Sequence, residues 1–352
     1  MTTIHLHIGN PKTGTTFMQA VLRKNAARLA GHGIAYPVET GPELTDSSIT
    51  SGNGSFLIRE EARRRTFLQA QNPDVDLLIS SELLASEIAE SGQFGAFMTD
   101  ARSLGFDRFS VLLLLRDPIE YAASAFQQNI KRNGIDYDLV EHFDAFARLE
   151  RTLNALKKLN AHPDVELRVL NYGNWRRRLA EVLRDWLSLP FELEQPQVEI
   201  INRGLTRSEL NLQRILNTQL GPSGYVLADR FCEDLPDIAA EIEYPPLDVQ
   251  QRFIERVAPL AEEINALIPA GEKLKMTFIE PTTSPAGNDF SDAQLRIIAQ
   301  AIADRELQLR DLKQRIQELE SRQIPHRDPW PKVLERRIRH SVKGLIGRLS
   351  SR

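Results

Sequence analysis

A single cysteine, Cys232, stands in the 352 residues. That excludes an intrachain disulfide and any thiolate-rich zinc or iron–sulfur site. No apolar run approaches the roughly 20 residues of a membrane-spanning helix. The opening Met1-Thr2-Thr3-Ile4-His5 lacks the basic segment and apolar core of a secretory signal. These absences, with a lone cysteine that suits a reducing compartment, set the expectation of a cytoplasmic protein. Basic charge is not in excess either. Lys and Arg number 44 against 48 Asp and Glu, a net charge of −4, so a global nucleic-acid footprint is excluded and only local basic patches remain open. What is abundant is apolar: 41% hydrophobic and 26% charged residues belong to a folded globular chain of one large domain or two.

The first half alternates short apolar runs with amphipathic stretches, the pattern of an α/β sheet. Strands are expected at Thr3–Ile8, Asp76–Ser80, Phe109–Leu115 and Val165–Leu170. The unbroken run FSVLLLL implies a strand buried on both faces, as in a parallel sheet. Helices are expected over Thr15–Leu29, Ile119–Lys131, Val140–Leu159 and Trp175–Leu187. Beyond Pro190 the strand signal fades. Thr206 and Glu209 have capping-box spacing at the head of a helix, and residues 246–268 read as another. The stretch from Pro281 to Asp289 reads as a linker after a domain of residues 1–280. Ser291 and Gln294 form a second capping box, followed by Leu295, Ile298, Ile302, Leu309, Leu312, Ile316 and Leu319 at heptad spacing, with Arg305 interrupting one core position. That segment, 291–322, suits either self-association or packing on the domain. The tail from Lys332 carries seven basic residues and one acid beside an apolar stripe. A peripheral contact with an anionic membrane surface and a docking helix are both open for 332–352.

Gly9-Asn10-Pro11-Lys12-Thr13-Gly14-Thr15-Thr16 falls between the first strand and its helix, where backbone N–H groups at a helix N-terminus cradle anions. Gly9 and Gly14 have the spacing of an ATP-binding P-loop. That motif needs Lys directly after the second glycine, and here Thr15 stands there while the lysine lies inside the loop. The expectation is a phosphate loop without the geometry of an ATPase. The run PKTGTT resembles the 5′-phosphosulfate loop of sulfotransferases that use 3′-phosphoadenosine 5′-phosphosulfate (PAPS). A second segment agrees with it. Arg116 ends the third expected strand, Asp117-Pro118 opens a helix with Glu120 at capping-box spacing, and Ser124 follows eight residues after Arg116. This is similar to the 3′-phosphate motif of the same family.

The resemblance, over roughly residues 1–210, implies a P-loop-NTPase-like, three-layer α/β/α fold with a central parallel sheet and a helical C-terminal extension. It implies a cofactor site of Pro11, Lys12, Thr13, Gly14, Thr15, Thr16, Arg116 and Ser124, and metal-free transfer to a hydroxyl. Bacterial-type relatives suggest a carbohydrate or glycolipid acceptor. The base that takes the acceptor's proton is Glu or His in this family. Glu82, after the second expected strand, is the first candidate and His32 the second. His5 and His7 share a strand face without a third ligand. Asn171-Tyr172-Gly173 matches the family only loosely, and NRGLTRSE (202–209) reads either as a cover over the cofactor or as a helix start. Two alternatives to a sulfotransferase stay open: a P-loop phosphotransferase, and a binding module without turnover.

Overall fold

The computed structural model describes residues 1–10, 12–37, 52–196, 203–221, 226–283 and 289–323. Pro11, Asn202, residues 47–51, residues 284–288 of the linker and the basic tail lie outside the described residues.

Five strands form one all-parallel sheet: β1 Thr2–Ile8, β2 Ile34–Ala35, β3 Asp76–Ser81, β4 Phe106–Leu115 and β5 Val165–Asn171. Their order is β2-β3-β1-β4-β5. The helices follow in chain order as α1 Thr15–Lys24, α2 Ala26–Gly31, α3 Glu61–Gln69, α4 Leu84–Glu90, α5 Phe94–Ser103, α6 Pro118–Asn133 and α7 Leu139–Ala145. They continue as α8 Arg148–Asn160, α9 Tyr172–Trp175, α10 Leu179–Trp186, α11 Arg207–Leu220, α12 Val226–Asp234, α13 Leu247–Ala266 and α14 Asp292–Gln323.

Helices cover both faces of the sheet. Leu78, Leu112 and Leu114 pack against Met18 and Val21 of α1 and Leu183 of α10. Ile4, Leu6, Ile79, Val111 and Leu113 face the other way, onto α4, α5, α6, α8 and α13. Alternation along each strand produces this division, since neighbouring side chains point to opposite faces. The chain therefore leaves β1 toward one face and leaves β3 and β4 toward the other. Such a reversal opens a crevice beyond the carboxyl ends of the strands.

Several expected helices are broken. The first ends at Asn25, whose amide donates to Val21 O and Glu194 O and accepts from Glu194 N. The stretch 140–159 divides at Phe146-Ala147, and 175–187 divides into α9 and α10. Asp117 precedes α6 and Pro118 starts it, but the expected capping box is absent. Asp117 instead accepts from Asn171 Nδ2 and Lys275 N, both at 2.8 Å, and Glu120 turns back to Arg116. The boxes at Thr206/Glu209 and Ser291/Gln294 form as expected.

The chain divides into two compact units, 1–294 and the remainder. In the second, Ile302, Leu309, Leu312, Ile316 and Leu319 of α14 are exposed. Among the described residues no helix is long and apolar enough to cross a membrane.

Candidate active site

The loop after β1 is held open by its own side chains. Thr13 Oγ1 donates to Asn10 O at 2.6 Å, and Asn10 Nδ2 reaches Thr152 Oγ1 of α8 at 3.3 Å. Lys12 adopts φ 72°, a left-handed conformation that costs a residue with a Cβ about 1–2 kcal/mol. Such strain persists only where surrounding contacts impose it. Here Arg116 at the end of β4 donates from Nη1 to Lys12 O at 3.0 Å. Gly14 follows at φ 80°, a conformation glycine adopts freely. Gly9 is required by a close approach, because a Cβ there would lie 2.2 Å from Thr15 Oγ1.

The loop ends as α1 begins, with no side-chain cap and no acid in the first turn. The helix N-terminus thus presents uncapped amides and the positive end of its dipole. Thr15 Oγ1 is buried and has no hydrogen-bond partner among the described residues. Uncapped amides, an orphaned hydroxyl and a lysine on one turn make a donor set that fits an anion and not a cation.

The loop forms the floor of a cleft of about 1130 Å³ at the carboxyl edge of the sheet. Lys12, Gly14, Thr15, Thr16, Glu82 and Arg116 all line it, contributed by the ends of β1, β3 and β4. Thr13 is buried behind the loop. Burial pushes the Lys12 ammonium down to about 8, with Lys131 and Arg116 adding repulsion and Glu82 opposing them. Burial likewise raises the Glu82 carboxyl above the usual range, against the pull of Lys12, Arg132 and Arg148. Each group thus acts on the other's protonation. At neutral pH Lys12 keeps its proton, while Glu82 is a stronger base than an ordinary carboxylate. Arg116 also pairs with Glu120 at 3.2 Å, and its guanidinium carbon lies 5.4 Å from the centroid of the Tyr172 ring.

No family model matches this chain, and no curated protein does.

The remaining expected residues divide. Ser124 lies in the same helical row as Tyr121 and Gln128, which line the cleft, but is itself buried and forms no part of the wall. His32 sits outside the cleft against Phe191, with ring centroids 4.6 Å apart. His5 pairs with Asp76 at 3.2 Å. His7 lies 2.8 Å from Ser80 Oγ, and burial lowers its pKa to about 4. No cluster suited to a metal occurs among the described residues. Arg203 of the NRGLTRSE segment is wholly buried against Glu209 in a two-pronged ion pair at 2.7 and 2.8 Å, so this part of the segment is structural.

The sequence reading missed most of the cleft's charge. Seven arginines and Lys12 line it against two carboxylates, Glu82 and Glu181. Arg176, Arg177 and Arg178 follow the end of β5 as a run of three, which was a visible signal at a strand terminus. Arg132, Arg148 and Arg151 lie on α6 and α8 with no local motif to mark them.

Proposed function

We propose that this protein transfers a sulfuryl group from PAPS to a hydroxyl, on a carbohydrate or glycolipid acceptor. The observation that carries the reading is the meeting of Lys12 and Glu82. They come from two strand ends into one cleft, close enough for each to shift the other's protonation. An acid–base pair of this kind, with a permanent cation beside it, is what an in-line transfer needs. PAPS supplies the sulfuryl group: the acceptor oxygen–sulfur bond forms as the sulfur–oxygen bond to the 5′-phosphate breaks.

The protein's part follows from the residues. The amides of the first turn of α1 and the Thr15 hydroxyl hold the 5′-phosphate. Lys12 keeps its proton on Nζ and neutralises the charge that grows on the leaving phosphate. Arg116 holds the lysine loop by its carbonyl and adds a forked cation for a second phosphate. Glu82 takes the acceptor's proton as the hydroxyl attacks.

Thr15 after Gly14 disfavours the phosphotransferase alternative, since the lysine of an ATP loop is absent from that place. Titration calorimetry with 3′-phosphoadenosine 5′-phosphate (PAP) and with ADP tests the reading. PAP should bind at least about tenfold tighter, the worth of one extra charge-assisted phosphate contact. ADP binding as tightly as PAP would overturn it.

A further inference from the structure

The cationic wall on the Glu82 side of the cleft exceeds what a neutral acceptor would need. Three arginines of α6 and α8 line the cleft: Arg132 near the end of α6, Arg148 at the first residue of α8, and Arg151 one turn later. Arg132 and Arg148 both act electrostatically on Glu82, which puts them beside the candidate base and not at the far end of the cleft. Their partners differ. Arg132 pairs with Asp229 at 2.7 Å, and Arg151 with Glu90 at 3.3 Å. Arg148 donates to Asn129 Oδ1 at 3.0 Å and lies 5.9 Å from the Tyr121 ring centroid, but has no carboxylate partner among the described residues. It is only partly exposed, so much of its charge is removed from water.

A half-buried guanidinium with no carboxylate in contact is costly unless a ligand provides one. A guanidinium's fork matches the two oxygens of a carboxylate or phosphate. Phosphates bound at Lys12 and Arg116 would neutralise those two cations and leave Arg148 without an anion in contact. We infer that the acceptor carries an acid group, a carboxylate or a phosphate, near the hydroxyl it offers, and that Arg148 binds that group. Docking the acid on Arg148 places a neighbouring hydroxyl on the Glu82 side. The inference rests on the proposed function for the hydroxyl, but the anion site itself does not depend on it.

The test is calorimetry at low salt on PAP-saturated protein, titrated separately with D-glucuronate, glycerol 3-phosphate and glucose. Both acids should bind and glucose should not. Comparing the two acids tells a uronic-acid acceptor from a phosphorylated headgroup. Arg148→Ala should weaken the acids about tenfold or more and leave PAP affinity unchanged. Arg148→Lys, which keeps the charge and loses the fork, should fall between, and a melting curve of each variant confirms folding. Glucose binding as well as the acids, no acid binding at all, or equal acid binding in Arg148→Ala would overturn the inference. Failure of PAP to bind the unaltered protein would instead refute the proposed function. The acids would then be titrated without PAP, and the same Arg148→Ala comparison would decide the anion site alone.

Discussion

Lys12 should take up a proton when a phosphate arrives, and the amount can be worked from its position. In the free protein burial and the neighbouring cations hold its ammonium at about 8, against 10.5 for an ordinary lysine. A bound phosphate supplies the missing counter-charge and returns the group toward that ordinary value. Below pH 7 the ammonium is protonated with or without ligand, so nothing is taken up. Between the two values the free protein is deprotonated and the complex is not. The uptake is then about 0.1 proton per PAP at pH 7, about 0.5 at pH 8 and about 0.9 at pH 9. PAP is fully ionised above pH 8, so its own phosphates add little there. Calorimetry in buffers of different ionisation enthalpy reads the uptake directly. Lys12→Met keeps the chain length and removes the titrating group, so its binding enthalpy should not vary with buffer at pH 8–9. A flat buffer dependence in the unaltered protein, or the same dependence in Lys12→Met, would refute the assignment of Lys12 to the phosphate.

Other consequences are as specific. Glu82→Gln should lower the transfer rate a hundredfold or more with PAP affinity retained, because the amide cannot accept a proton; single-turnover rates beside calorimetry separate the two. In the unaltered protein the transfer rate at subsaturating PAPS should rise as Glu82 loses its proton, above the usual carboxylate range, and fall again as Lys12 of the unliganded protein deprotonates near 8. Arg116→Ala should weaken PAP by about 1.5–3 kcal/mol and release the lysine loop that its Nη1 holds; an unchanged Kd would remove Arg116 from the site. Arg203→Ala should cost about 3–5 kcal/mol of stability, since it leaves the Glu209 carboxylate fully buried without its cation; a melting temperature within a degree of the original would contradict this.

The sheet was legible because its strands are punctuated and apolar. The run from Phe109 to Leu115 could be nothing shallower than a buried central strand, and β4 only extends it back to Phe106. β2 was missed because two residues, Ile34-Ala35, carry no periodicity. Helix breaks were illegible where distant contacts decide them: Asn25 ends α1 by bonding a segment 169 residues away. Asp117 shows the same competition. Its local signal is that of a cap, yet Asn171 and Lys275 claim its carboxylate. At the candidate site, Glu82 and Arg116 could be read because each directly follows a strand, and Lys12 because it lies in the glycine-flanked loop after one. Tyr172 also follows one, but the departure at Gly173 hid its place on the cleft wall. Arg148 and Arg151 could not be read, since only the packing of α8 brings them to the cleft.

Transfer of labelled sulfur from PAPS is the most direct measurement. The protein would be incubated with sulfur-labelled PAPS and hydroxylated acceptors, with and without an acid group, and the products separated. The expected result is labelled acceptor and PAP in equal amounts, lost in Lys12→Met and in Glu82→Gln. Label that stays on PAPS with every acceptor, in protein that binds PAP, would contradict the transferase and leave a binding module in its place.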